Sequence, residues 1–313
     1  MTRRTDALFL AGLLLAAGPA AAQSLSGARE WLPPGSLSLD ALSLRPREQQ
    51  SGGDRHSFYA EYGRLAFRSP LVLGGTARKA GLSCQACHAN GFATVDFFIP
   101  GLSDAHGRID VSHAFWNARA DDHRDNPLEI PSLRGVKDRD RLGHDRRMAS
   151  LREFTRRVIV TEFAGAEPEP LLLDALVAYQ ETLGPADAVD TPVTLAGDLA
   201  DILRHLETLA LPLAEEEAAL AEQVATMLRS QLGFIHERLQ GEALAPARGI
   251  VEAWSRHLGD IARLAAEGDW PQARTALAAL KQEVAGPPPA LAGAGPASLY
   301  NPVRLKAWLA GAQ

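Results

Sequence analysis

The pentapeptide Cys84-Gln85-Ala86-Cys87-His88 constrains this chain more than any other stretch. Two thiols separated by two residues can add to the two vinyl groups of one haem, and the adjacent histidine then reaches the iron from the same face. These are the only two cysteines in the chain, and both lie in the motif. A redox CxxC pair belongs beside a βαβ pattern, and none is seen here. A structural zinc site needs further cysteines or a second ligand pair at its own spacing. The expectation is one covalent haem c, held by Cys84 and Cys87, with His88 as the proximal iron ligand. With both cysteines committed, no intramolecular disulfide remains, so stability must come from packing and from the haem.

The start of the chain points to the same compartment as that chemistry. Arg3 and Arg4 give a basic leader, Ala7 to Ala17 is an apolar run too short to span a bilayer, and Ala20-Ala21-Ala22 offers a small-residue cleavage site. Residues 1–22 therefore read as a secretory signal peptide cleaved before Gln23, and in a bacterium the mature protein is periplasmic. No second hydrophobic stretch of spanning length follows, so no transmembrane segment is expected in the mature chain. Cleavage removes two arginines and one aspartate and moves the formal charge from -6 to -7. Mild acidity disfavours nucleic acid as a partner.

The rest of the chain reads as all-α. Residues 23–57 are rich in Ser, Pro and Gly, and Leu37, Leu39, Leu42 and Leu44 alternate briefly. This stretch is expected as an extended arm on the main domain, an edge strand being the other reading. Phe58 to Phe67 forms a short helix with Phe58, Tyr62, Leu65 and Ala66 on one face. Ser150 opens another helix with Glu153 three residues on, a capping box, and Leu151, Phe154, Val158 and Ile159 point inward. Leu171 to Leu183 is a third, with Leu172, Ala175, Leu176 and Tyr179 inward. In c-type cytochromes, whose haem motif the CxxCH here resembles, a terminal helix crosses the helix near the amino end, and the first and third of these helices are the candidates for that pair.

Four segments carry a family resemblance. Gly63-Arg64-Leu65-Ala66-Phe67 and Gly81-Leu82-Ser83-Cys84-Gln85-Ala86-Cys87-His88 resemble the first haem module of bacterial di-haem cytochrome c peroxidases and their relatives. Asn126-Pro127-Leu128-Glu129-Ile130-Pro131-Ser132-Leu133-Arg134-Gly135 looks like the proline-serine-leucine segment of that family. His144-Asp145-Arg146-Arg147-Met148-Ala149-Ser150-Leu151-Arg152-Glu153-Phe154 is similar to the turn and helix that follow it. The resemblance spans roughly Phe58 to Leu183, under half the chain, and implies a cytochrome c-like haem domain over 58–183. It departs from the family in one respect. The peroxidases carry two CxxCH motifs, one haem relaying an electron and the other cleaving peroxide, and this chain has one. The resemblance thus implies the fold and the haem without the peroxidase division of labour.

The second axial ligand of the iron is open among several residues. Met148 follows His88 by 60 residues, just ahead of a helix. A thioether ligand from a later loop favours ferrous iron and raises the potential. His106, in Ala105-His106-Gly107, loosely resembles the distal histidine region of the peroxidase module, and a second histidine would lower the potential. His144 is a further distal candidate, or a residue supporting one. An iron with no second protein ligand is also open. By the resemblance, Arg134, which follows the proline-serine-leucine run, is a candidate for pairing a haem propionate, since a guanidinium matches a carboxylate at two points. A surface salt bridge is the other reading. Phe92, Phe97, Phe98, Phe115 and Trp116 are candidates for the walls of the haem pocket or for ordinary core. The Asp and His residues between Asp104 and His123 fit no metal-ligand template and read as solvated loop.

Gly184 to Val193 reads as a domain boundary, and residues 194–285 as a helical bundle. Four apolar stripes follow the helical period. Leu195, Leu199, Ile202, Leu206 and Leu209 line the first. Leu220, Val224, Met227, Ile235 and Leu239 line the second. Val251, Trp254, Leu258, Ile261 and Ala265 line the third, and Ala273, Leu277, Leu280 and Val284 the fourth. Short connections imply antiparallel neighbours. Residues 286–313 read as a linker and a short docking helix that uses Tyr300, Val303, Leu305 and Trp308. The chain is thus expected to be a periplasmic single-haem c-type cytochrome that passes electrons to or from a redox partner protein, its bundle recognising that partner. Two other readings stay open. One is a peroxidase-like oxidoreductase with an open iron face, and the other is a haem-based sensor or assembly factor.

Overall fold

The computed structural model describes residues 38–51, 57–185 and 187–310. The expected signal peptide and most of the expected arm lie outside the described residues. Helix α1 (Leu39–Ser43) and strand β1 (Leu44–Pro46) come first, then α2 (Phe58–Phe67), α3 (Gly75–Lys79) and α4 (Cys84–Cys87). A two-stranded ribbon of β2 (Arg108–Ile109) and β3 (Leu128–Glu129) follows, then α5 (Leu151–Arg157) and α6 (Pro170–Thr182). Strand β4 (Asp190–Pro192) leads into α7 (Leu195–Leu206), α8 (Ala210–Ala214), α9 (Ala218–Arg238), α10 (Ala245–Ala266) and α11 (Trp270–Ala285). The chain ends in α12 (Pro289–Ala292) and α13 (Pro302–Ala310). The described chain is mostly helical, and no helix among the described residues is long and apolar enough to cross a membrane.

The described part of the arm departs from expectation. Ser38 caps a helical turn by accepting from the Ala41 N–H at 3.1 Å, and only then does the chain extend. Strand β1 pairs antiparallel with β4, Leu44 opposite Pro192 and Pro46 opposite Asp190. The expected domain boundary therefore contains a strand that clamps the arm, because extended backbone groups at both places can satisfy one another.

Helix α2 crosses α6 with the backbones in close approach at Gly63. A β-carbon on Gly63 would lie 1.8 Å from the Ala175 carbonyl oxygen and 2.9 Å from the Tyr179 β-carbon. Only glycine admits that approach. The single apolar face expected for α2 is wrong in one respect: the helix is buried almost all round. It lies between α6 on one side and α7 and α9 on the other, so its polar residues are buried and paired too. Tyr62 donates to Gln223 Oε1 at 2.7 Å, and Glu61 accepts from Arg204 Nε at 2.7 Å.

At the centre of these contacts sits Arg64, 2% exposed. Its Nε donates to Glu48 at 2.8 Å, its Nη2 to Asp201, and its Nη1 lies 3.0 Å from His205 Nε2. Tyr179 of α6 donates to Glu48 at 2.7 Å. The arm, α2, α6 and α7 thus meet in one ionic cluster. Burial alone would raise the Glu48 carboxyl, but Arg68, Arg64 and the Tyr179 hydroxyl outweigh it and hold it at about 2.

The bundle matches its four stripes closely. All five named residues of the first and third stripes are buried, as are all four of the fourth. In the second stripe Leu220 is only half-buried. Asp269 caps α11, accepting from the Gln272 N–H at 3.3 Å. One hydrophobic cluster runs from Tyr62 and Leu176 through Trp254 to Leu280, so the bundle and the first half share a core. Helix α13 buries Leu305 against Leu42 and Leu299 of the arm and linker. Val303, expected as an apolar contact, is 77% exposed instead, because α13 turns its other face to α1.

Two predictions follow from this packing. Gly63→Ala is expected to cost about 3 kcal/mol of unfolding free energy, since the two helices must separate. Gly233→Ala in α9, where a β-carbon meets nothing within 4 Å, should leave stability unchanged or raise it by roughly 1 kcal/mol. Equal effects of the two substitutions in denaturant unfolding would rule out the close crossing. Glu48, lowered from 4.5 to about 2, contributes stability that is present above pH 4.5 and lost as pH falls towards 2. Glu48→Gln is expected to cost roughly 3 kcal/mol at neutral pH and to shallow the acid limb between those values. An unchanged acid limb would remove Glu48 from the account.

Candidate functional site

Helix α4 is a single turn with both cysteines at its ends. Ser83 precedes it in extended conformation, and the His88 N–H closes it on the Cys84 carbonyl at 2.9 Å. Two left-handed residues, Asn90 (φ 51°) and Gly91 (φ 87°), then reverse the chain. Asn90 is fixed from three sides. Its Oδ1 accepts from Arg68 at 2.6 Å and Gln85 at 3.1 Å, and its Nδ2 donates to the Pro46 carbonyl at 2.7 Å. Leu82 and Ala86 anchor the turn in the core.

Cys84, Cys87 and His88 all line one cavity of about 510 Å³. That lies within the range of ligand pockets, roughly 300–1,000 Å³. Burial pushes the Cys84 thiol up to about 12 and does the same for Cys87, helped there by its neighbour's charge. Reactive redox cysteines have depressed pKa values, and here the direction is the opposite. Burial holds the His88 imidazole down to about 4, the Pro131 carbonyl opposing it. The ring is therefore neutral near pH 7, with a lone pair free for a metal. Its Nδ1 is buried and has no partner at hydrogen-bonding geometry.

Other walls come from Ile130, Pro131 and Leu133, from the 142–148 hairpin, and from α5 with the turn after it. In the hairpin Leu142 N–H donates to the Met148 carbonyl at 2.7 Å, and Gly143 (φ 81°) and Arg146 (φ 52°) make the reversal. Met148 and His144 both reach the cavity, Met148 half-buried and His144 exposed. Ser150 caps α5 as expected, accepting from the Glu153 N–H at 3.2 Å. Helix α5 then widens into a π-helical turn, Val158–Glu162. Such turns are frequent at functional sites. This one adds Val158, Thr161 and Glu162 to the wall.

Several of the sequence candidates lie away from this cavity. His106 is absent from the cavity lining. It sits on an exposed turn, its Nδ1 3.2 Å from the Asp96 carbonyl oxygen and its ring packed on Phe98. Arg134 does not line the cavity either. Leu133 takes the inward position in that non-helical segment, and Arg134 projects elsewhere, donating to the Gln49 carbonyl with its guanidinium 4.8 Å from the Phe92 ring centre. The five aromatic wall candidates also lie elsewhere. Phe97 and Trp116 are ordinary core, and the walls are aliphatic instead, with Phe154 and Phe163 from the α5 region. In the Asp and His loop, buried Asp110 accepts from Ser112 and from the Asn126 N–H, which organises the loop.

Among the lining residues that sequence reasoning missed are the charged side chains of Arg139, Arg141, Arg157 and Glu162. Burial raises the Glu162 carboxyl to about 7, Arg157 opposing it. No sequence signal marks Glu162, because the π turn that presents it shifts the helical register. Among the described residues no group of three or more His, Cys, Asp and Glu side chains comes together to hold a bare metal ion. No protein-family model, curated protein or solved structure matches this chain.

Proposed function

We propose that this chain is an exported c-type cytochrome that carries one covalent haem and passes electrons to or from a partner protein. The observation that supports this best is that Cys84, Cys87 and His88 line the same cavity as Met148 and His144, two residues able to ligate iron. Cys84 and Cys87 would bond the haem vinyl carbons, and His88, neutral at physiological pH, would ligate the iron. Met148 would be a second protein ligand, with His144 the alternative. Arg139, Arg141 and Arg157 line the cavity and offer charge to the haem propionates. The bound haem supplies a one-electron ferric and ferrous couple. Ile109, Val111, Leu128 and Ile130 keep water away, and an apolar surround with a thioether ligand favours the ferrous state. The reading includes export to the periplasm and a role for the bundle in partner recognition.

Glu162 favours a second reading, a peroxidase-like oxidoreductase. A half-buried carboxyl with a pKa near 7 can both take and give a proton at physiological pH. That chemistry needs an iron without a sixth protein ligand.

Absorption and electron-spin spectra of the purified protein separate the two. Six-coordinate low-spin iron, indifferent to peroxide, is expected, with a methionine-to-iron charge-transfer band that Met148→Ala abolishes. A band that persists in that variant removes Met148. Five-coordinate high-spin iron that reacts with peroxide at a rate cut about 100-fold or more by Glu162→Gln establishes the second reading instead. Cys84→Ser and Cys87→Ser should each leave a single thioether bond, seen as a shifted pyridine haemochrome band. A protein that matures in a haem c-competent host without covalent haem would sink both readings.

A further inference from the structure

A second cavity, of about 190 Å³, lies behind the CxxCH turn. The arm, α4, α7 and α9 enclose it, and Ser83 is the one lining residue that it shares with the larger cavity. Three of its lining residues carry buried polar atoms with no hydrogen-bond partner: Nε and Nη1 of Arg68, Nδ1 of His205 and Oγ1 of Thr94. Arg68 is 5% exposed and His205 1%. Only Nη2 of Arg68 is engaged, by Asn90 and by Glu48, and Glu48 is shared with Arg64 and Arg204.

The unpartnered nitrogens are all donors. The Arg64 guanidinium can only donate, so His205 Nε2, 3.0 Å from Arg64 Nη1, must accept. A neutral His205 ring then carries its proton on Nδ1. Burial, with Arg64 and Arg68 beside it, keeps the ring well below its ordinary pKa and hence neutral. Nearby carboxylates are already occupied. Asp201 accepts from Arg64, and Asp198 from Arg45 and Tyr300. Buried donors without an acceptor are costly, so the site calls for an acceptor from outside the chain. The rest of the lining mixes polar side chains, the carboxylate of Glu237 and the guanidinium groups of Arg45 and Arg238 among them, with hydrocarbon from Leu42, Ile202 and Phe234. An apolar cavity of about 150 Å³ is enough to hold benzene.

We propose that this cavity binds a small carboxylate with a compact apolar body, its oxygens accepting from Arg68 and His205 and its body resting on Ile202 and Phe234. The inference stands apart from the haem, since it uses none of the residues assigned to it. Isothermal titration of the mature protein with benzoate tests it. One benzoate per chain is expected, with benzyl alcohol and inorganic phosphate each bound about tenfold more weakly or worse, the first lacking charge and the second an apolar body. Arg68→Met should weaken benzoate about tenfold or more. Ala41→Trp, on the half-buried wall, should block the site without touching the ionic cluster, so it decides the matter if Arg68→Met does not fold. Absence of benzoate binding at ~10 mM would overturn the proposal. So would wild-type affinity in Ala41→Trp or in folded Arg68→Met, or equal affinity for benzyl alcohol.

Discussion

The arm, α2, α6 and α7 are arranged around the buried guanidinium of Arg64. It reaches the arm through Glu48 and α7 through Asp201 and His205, while Tyr179 brings α6 to the same carboxylate. Burying that many charges gains little over an apolar core of equal volume, because desolvation consumes most of the attraction. What it does impose is arrangement. Removing one partner strands the others in a low-dielectric interior, at roughly 3–5 kcal/mol, so only one docking of arm, helices and bundle satisfies them all. The glycine contact between α2 and α6 works to the same end through sterics, admitting a single crossing point.

That arrangement is what positions the CxxCH turn. Arg68, at the end of α2, holds Asn90, and Asn90 in turn binds Gln85 and the Pro46 carbonyl. The one-turn helix α4 is too short to be stable alone. It is held from behind by this polar seam and from within by Leu82 and Ala86. Its thiols and His88 are left to line the larger cavity. The two cavities thus lie on opposite terms with the same turn, one lined by its reactive side chains and the other by Gln85, Ala86 and Ala89.

The helices of the bundle were the most legible part of the chain. Their stripes repeat at the helical period, and apolar burial rewards that period wherever the helices pack. The crossing of α2 and α6 was expected only through the likeness to c-type cytochromes, in which a terminal helix crosses the helix near the amino end. The walls of the cavity were not legible. Aromatic residues between Phe92 and Trp116 suggested them, yet aliphatic residues from β2, β3 and the π turn, with Phe154 of α5, provide much of them. A wall is made by whichever segments the fold brings together, and an aromatic residue buries equally well in ordinary core.

The sequence alone determined the chemistry available at residues 84–88, the helical class of the chain and which faces of α7, α10 and α11 turn inward. These are local properties, set by spacing along the chain. Tertiary structure decided that Met148 and His144 reach the cavity while His106 does not, and that Arg134 packs on Phe92 rather than entering. It also decided that a π turn carries Glu162 to the wall, and that Arg68 and His205 share a pocket. Each of these depends on how distant segments dock, and docking follows from the summed packing and pairing of the whole core, which no local spacing encodes.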